Sequence, residues 1–258
     1  MTTAIPKDYN RFRVGAAHVV AHESCVEWAK TVLPQQTLYE WAAVQPDRRD
    51  LGGRVPAYSV LLPGQERRVV VRHSHHGGLL GRLQGDLFLP PTRAPYELLV
   101  SHLLAGLGVR TPLVVAIAVY PVRRVLRRSD VVSLELPGRD LGKALRDAPD
   151  ADVRRGWLDS IAALIRSLTN IGAWHPDLNV GNVLLVESGP SAWDAYVLDI
   201  DRLQFAPPSD PTVRDANLDR LERSIRKLRS RSGIGFDDAE MRTLRELASA
   251  PAPAPLRA

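Results

Sequence analysis

The chain has 258 residues, 45% of them hydrophobic and 24% charged, with a formal net charge of +5 carried mainly by arginine. That is the composition of a soluble globular protein, long enough for one large domain or two lobes around a cleft. The positive balance favours anionic partners such as phosphates or an acidic membrane face. The 6% aromatic content is scattered rather than interleaved with basic residues, so no nucleic-acid partner is expected.

Cys25, the single cysteine, cannot form an internal disulfide, which points to a reducing compartment. The opening stretch MTTAIPKDYNRFRVG has no apolar segment of the secretory kind, and the longest apolar run, Leu113 to Tyr120, is too short to span a bilayer. A cytoplasmic protein is expected, one that can meet an anionic membrane surface peripherally but does not span it. From Cys25 to Ala43 the pattern is helical, interrupted at Pro34. LGGRVPAYSVLLPGQERRVVVRH then predicts a Gly-rich turn and two strands around a Pro-Gly turn. Leu79 to Phe88 is amphipathic or irregular. Pro95 begins a helix that ends at the Gly of GLG, as helix-end chemistry prefers.

TPLVVAIAVYPV and RSDVVSLELPG form an apolar, β-branched strand pair, and LPGRDLGKAL leaves it through a Pro-Gly break. A long amphipathic helix follows from Val153 to Asn170. After the polar stretch AWHPDLNVGNVLL come the short strands VLLVE and AYVLDIDR. Two charged helices and a disordered tail, APAPAPLRA, close the chain. The order is α+β: a strand-rich half over residues 1–136, including an N-terminal extension, a helix-rich half over 137–248, and a tail over 249–258, with a cleft expected between the halves.

The chemistry concentrates in AWHPDLNVGNVLL. Asp177 and Asn182 are five residues apart, and Asp199 follows seventeen beyond Asn182 at the end of an apolar strand. Phosphoryl transfer from a nucleotide needs such a set: one carboxylate to orient the attacking hydroxyl and take its proton, and an amide with a second carboxylate to hold Mg²⁺. His-x-Asp followed by Asn at that spacing matches a kinase catalytic loop. The bland alternative is a pair of Asx turns bounding a hairpin, which the ordered recurrence of both pieces after a long helix disfavours. Upstream, strand alternation puts Val70 and Arg72 on one face, Val70 against an adenine and Arg72 toward the phosphates. Glu97, on the following helix, is the natural partner of Arg72. Gly52 and Gly53 would form the phosphate-covering turn, and the connector from Glu135 and Leu136 to Gly138 would offer backbone groups to the adenine edge.

Together these residues resemble the bacterial lipopolysaccharide kinases, most nearly the branch acting on 3-deoxy-D-manno-octulosonic acid (Kdo). The resemblance is carried by VVVRHSHHGGLLGRLQGDLFL, PYELL…GLGVRTP, WHPDLNVGNVLL, VLDIDR and NLDRLERSIRKL, over roughly Gly52 to Leu228. It implies a protein-kinase-like bilobal fold and ATP-dependent phosphorylation of a Kdo hydroxyl on a lipid A-linked acceptor, at the cytoplasmic face of the inner membrane. It makes Asp177 the catalytic base, Asn182 and Asp199 the Mg²⁺ ligands, and Arg72 with Glu97 the phosphate-positioning pair.

The chain departs from protein kinases at several points. Arg72 stands where most use lysine, as the look-alike family often does; Val55 stands where the turn usually has a second glycine; Asp201 replaces the Gly of the metal-binding turn; Asn179 stands where lysine is common. The absence of an A-P-E segment argues against a protein substrate. For the His73, His75, His76 group, no cysteine or nearby carboxylate completes a metal set, so a solvated loop or a patch facing an anionic glycolipid is expected. Arg123, Arg124, Arg127 and Arg128 read as a solvated hairpin turn, or one touching membrane phosphate. The rival functions are a kinase of another sugar or small molecule (a heptose, an amino alcohol) and a catalytically dead nucleotide-binding scaffold.

Overall fold

The computed structural model describes residues 5–52, 56–75, 85–123, 125–147, 150–190 and 192–250. The chain divides into two compact units, one of residues 1–103 with 112–135, the other of 104–111 with 136–258.

The first unit opens with a hairpin that no pattern in the sequence announces: β1 (Tyr9–Val14) and β2 (Ala17–His22), turned at Gly15 with φ +56°. Two helices follow, α1 (Glu23–Val32) and α2 (Leu38–Ala43). The break between them contains Pro34, and α2 restarts at a capping box in which Thr37 and Glu40 satisfy each other's backbone amides. Strands β3 (Arg49–Asp50), β4 (Tyr58–Leu61) and β5 (Arg68–His73) precede α3 (Ala94–Gly106); β6 (Val114–Val122) and β7 (Leu126–Leu134) complete the unit.

These strands form one antiparallel sheet in the order β1-β2-β6-β7-β5-β4-β3. Alternation along each strand sorts its side chains to two faces. Val69, Val71, Ala116, Ala118 and Val132 pack with Trp28 and Trp41 of the first two helices. Ile117 and Val131, one residue out of phase, pack instead with Ala94 and Leu98 of α3. Burying each such Val or Leu contributes roughly 1.5–3 kcal/mol.

The second unit contains β8 (Gly138–Asp140), α4 (Leu141–Arg146), α5 (Ala151–Asn170), β9 (Ala173–Trp174), β10 (Val183–Gly189), β11 (Ala192–Val197), a 3-10 turn (Ile200–Arg202), β12 (Gln204–Phe205), α6 (Pro211–Ser232) and α7 (Asp238–Ser249). Asp150 caps α5, which buries Trp157, Leu158, Ile161, Leu164, Ile165 and Leu168 at helical spacing. Arg154 on that helix grips Glu240 with two hydrogen bonds of 2.7 and 2.6 Å, holding α7. Residues 104–111, counted with the first half in sequence, join this unit for a local reason. The Arg110 carbonyl accepts from Val197 N, Thr111 Oγ1 donates to the Val197 carbonyl, and Arg110 pairs with Asp194. Among the described residues, no helix is long and apolar enough to cross a membrane. The tail over residues 251–258 lies outside the described residues.

Candidate active site

In the second unit two short pieces of chain are stapled together. Gln204 pairs with Trp174 and Phe205 with Ala173, so the segment entering the 175–182 loop and the segment leaving the 199–202 turn run side by side. Gly172 permits that approach: with φ +69°, its ideal Cβ would lie 2.1 Å from the Ala206 carbonyl oxygen. His175 is 1% exposed and spans the two pieces. Its Nδ1 accepts from Asp177 N (3.2 Å) and its Nε2 bonds the Leu198 carbonyl (2.9 Å), beside Asp199. It braces the loop.

The loop is held through Asp177's main chain. The Asp177 carbonyl accepts from Asn179 Nδ2 (3.0 Å) and Asn182 Nδ2 (2.8 Å), and Asn179 Oδ1 accepts from Gly181 N (2.8 Å). Asn179, the polar residue with no clear role in sequence, thus closes an Asx turn. The Asn182 carbonyl in turn accepts from Leu198 N at 2.9 Å. With its amide nitrogen engaged, the Asn182 side chain keeps its oxygen as an acceptor.

Asp199 has φ 56° and ψ 51°, a left-handed conformation that costs a non-glycine residue on the order of 1 kcal/mol. Its carboxylate is on an exposed residue. A carboxylate and an amide oxygen are the donor types a hard divalent cation takes, so Asp199 and Asn182 fit an Mg²⁺-class ion.

One face of α6 lies along this loop. Asn217, fully buried, accepts from His175 N and donates to the Ala173 carbonyl (both 3.0 Å). Ser224 accepts from Val180 N at 3.2 Å, and Arg220 Nη2 donates to Asp177 Oδ1 at 2.5 Å. The sequence reading took this charged helix only as a closing element and missed all three residues. Their i, i+3, i+7 spacing, polar amid charge, was the signal available.

The first unit carries the predicted phosphate pair. Val70 and Arg72 share the α3 face of β5, opposite the buried Val69 and Val71. Arg72 Nη2 donates to Glu97 Oε1 on α3, whose side chain is only 7% exposed. A carboxylate so buried requires a cationic partner. Gly52, at φ +79°, follows β3 on the arm of a hairpin closed by Leu51 N to the Ala57 carbonyl (2.9 Å). Gly53 and Val55 lie outside the described residues.

The Glu135 amide is taken by the Arg68 carbonyl (3.0 Å), and the Leu136 carbonyl accepts from Gly138 N (2.8 Å). These bonds engage the Glu135 amide and the Leu136 carbonyl. The Glu135 side chain does something else: it accepts from Ser59 Oγ and pairs with Arg68 Nε at 3.2 Å.

The histidine group needs correction. His73 is not in a solvated loop; it ends β5, its side chain 9% exposed. The fold brings it two carboxylates that are distant in sequence. Nδ1 bonds Asp130 at 2.5 Å and Nε2 bonds Asp86 at 3.1 Å, so both ring nitrogens are spent and neither is left for a metal. Burial by itself would lower the His73 pKa, but the hydrogen bonds and charges of Asp130 and Asp86 outweigh it and raise the pKa. Arg128, read as solvated, pairs with Asp86 at 2.6 Å. His76 and Arg124 lie outside the described residues.

Comparison with known proteins draws these features together. The model of the lipopolysaccharide kinase (Kdo/WaaP) family matches residues 50–247. The chain belongs to the lipopolysaccharide kinase family. Among the relatives of this lipopolysaccharide kinase, the 3-deoxy-D-manno-octulosonic acid kinase of Vibrio parahaemolyticus is 27% identical over 84% of this chain and 89% of its own length. That of Haemophilus influenzae is 30% identical over 65% of this chain and 70% of its own. A solved structure of WaaP in complex with acyl carrier protein aligns with a TM-score of 0.56 at 20% identity, covering 89% of this chain and 88% of the other. The α+β fold is thus kinase-like, and the family's chemistry is transfer of a phosphoryl group to a sugar hydroxyl, with ATP as donor.

Proposed function

We propose that this chain phosphorylates a hydroxyl of Kdo in the lipid A-linked inner core of lipopolysaccharide, using ATP and Mg²⁺. The observation that carries the reading is the 175–182 loop. Its backbone is locked by His175, Asn179 and Asn182, while the Asp177 carboxylate, 49% exposed, stays open to an acceptor. The names of the curated relatives support Kdo as the sugar.

In this mechanism the Asp177 carboxylate orients the acceptor hydroxyl and takes its proton. The acceptor oxygen forms its bond to the γ-phosphorus as the bond from that phosphorus to the bridging oxygen breaks, and ADP leaves. Arg72, fixed by Glu97, grips the phosphates in a fork geometry. Val70 packs on the adenine, the Glu135 carbonyl and Leu136 amide meet its edge, and Gly52 with Gly53 lets backbone approach the phosphates. Asn182 and Asp199 would hold Mg²⁺, which would supply neutralisation of the phosphate charge. A peripheral station on the anionic cytoplasmic face of the inner membrane suits both the positive charge balance and the lipid-linked acceptor.

The test is transfer of label from γ-³²P-ATP to Kdo-lipid A and to heptosylated acceptors. Phosphorylated Kdo is the expected product, dependent on a divalent cation. Transfer to heptose alone would replace the acceptor, and ATP-Mg²⁺ binding without turnover, unchanged by Asp177→Ala, would indicate a scaffold.

A further inference from the structure

The catalytic loop carries no cation of its own: Asn179 occupies the place where protein kinases often have lysine, and its side chain is committed to the Asx turn. A positive charge reaches it from α6. Arg220 reaches Asp177 Oδ1 with one nitrogen, while its Nε is buried and has no hydrogen-bond partner among the described residues. A buried donor without an acceptor is an unfavourable arrangement that a ligand can relieve. A guanidinium offers five donors in a planar fork, matched to a carboxylate held by two of them.

We propose that Arg220 binds the carboxylate of an acidic acceptor sugar and so selects for it. The inference rests on the Kdo reading above, since Kdo is a sugar acid. Presenting such a sugar's hydroxyl to Asp177 brings two carboxylates into one site, and their repulsion would oppose binding unless a cation lies between them. Arg220 already neutralises one of the two and, turning its fork outward, holds the other. A neutral sugar acceptor would create no such demand. Asn217 and Ser224, one turn to either side on α6, anchor the helix to the loop and set where the guanidinium can reach.

The experiment compares a soluble Kdo glycoside with its C1 carboxamide, using wild type, Arg220→Gln and Arg220→Lys, with KM for ATP and thermal stability as folding controls. Wild type is expected to lose about 30- to 100-fold in kcat/KM on the carboxamide, the scale of a lost charged hydrogen-bond pair. Arg220→Gln should lose a similar factor on the acid, mostly in acceptor KM, and little more on the carboxamide. Arg220→Lys should recover part of the loss on the acid alone. Equal losses on both acceptors, falling in kcat, would overturn the proposal and assign Arg220 to the transferring phosphoryl group or to positioning Asp177. An unaffected Arg220→Gln enzyme would overturn it too. Wild type inactive on both glycosides but active on a neutral sugar would overturn the Kdo reading itself, and this inference with it.

Discussion

Two carboxylates, one in each unit, sit beside a basic side chain, and their surroundings differ completely. Asp130 is fully buried, and both its oxygens are assigned: Oδ1 to His73, Oδ2 to the Tyr39 amide and the Tyr120 hydroxyl. The Tyr39 amide lies in the first turn of α2, so the carboxylate also meets the positive end of that helix. Asp177 is half exposed, and among the described residues only its Oδ1 has a partner, Arg220. A carboxylate with both oxygens claimed fastens elements together; one left half-claimed at a locked loop is available for chemistry.

The comparison breaks most visibly through opposite losses. Asp177→Asn should lower kcat by about 10³-fold, within the range of a lost general base, with unchanged ATP affinity and thermal stability; steady-state kinetics and a melting curve check both halves. Asp199→Ala should follow with a fall of about 10²-fold that extra divalent cation partly offsets, read from metal-concentration series. Asp130→Ala should do the reverse. It takes one of the two carboxylates from the buried His73 and removes the acceptor of the Tyr39 amide and the Tyr120 hydroxyl, so stability falls by about 3 kcal/mol in denaturant titration, while activity per folded molecule is retained.

A smaller effect sharpens the contrast by its sign. The folded-state pKa of His73 lies above its ordinary value of 6.5, so folding favours the protonated ring. Its stabilisation is complete below about pH 6.5 and is lost as pH rises through the raised value. The melting temperature of wild type should therefore carry a component that declines with rising pH over this window, and His73→Gln should flatten it. A slope that persists in the variant would reassign the titration. Smallest of all, Thr37→Ala should cost about 1 kcal/mol by removing the α2 cap, with no effect on kinetics.

What was legible in the sequence was what is local. Asp177, Asn182 and Asp199 stand at fixed short spacings because a single turn and one strand pair hold them, and β6 and β7 announce themselves by β-branched runs. The clusters that escaped are built across the chain: His73 meets Asp130 over 57 residues and Arg220 meets Asp177 over 43. A histidine beside a glycine pair looks solvated until a distant strand supplies its carboxylate. A helix dense in arginine looks like a surface until one of its faces proves to line a loop. The β1–β2 hairpin escaped for another reason, since its alternation mixes Arg and Asn with Tyr, Phe and Val, and only the edge of a larger sheet gives that pattern a use.

The loop's bonds to Asp177 run through its amide and carbonyl, and among the described residues only the Arg220 contact uses the carboxylate. The side chain proposed as the base is thus nearly detachable from its architecture. A protein carrying Asn there should keep the shape of the site while stalling its turnover, which makes it a bait: mixed with a crude glycolipid extract and ATP, it would retain the natural acceptor long enough to be identified by mass.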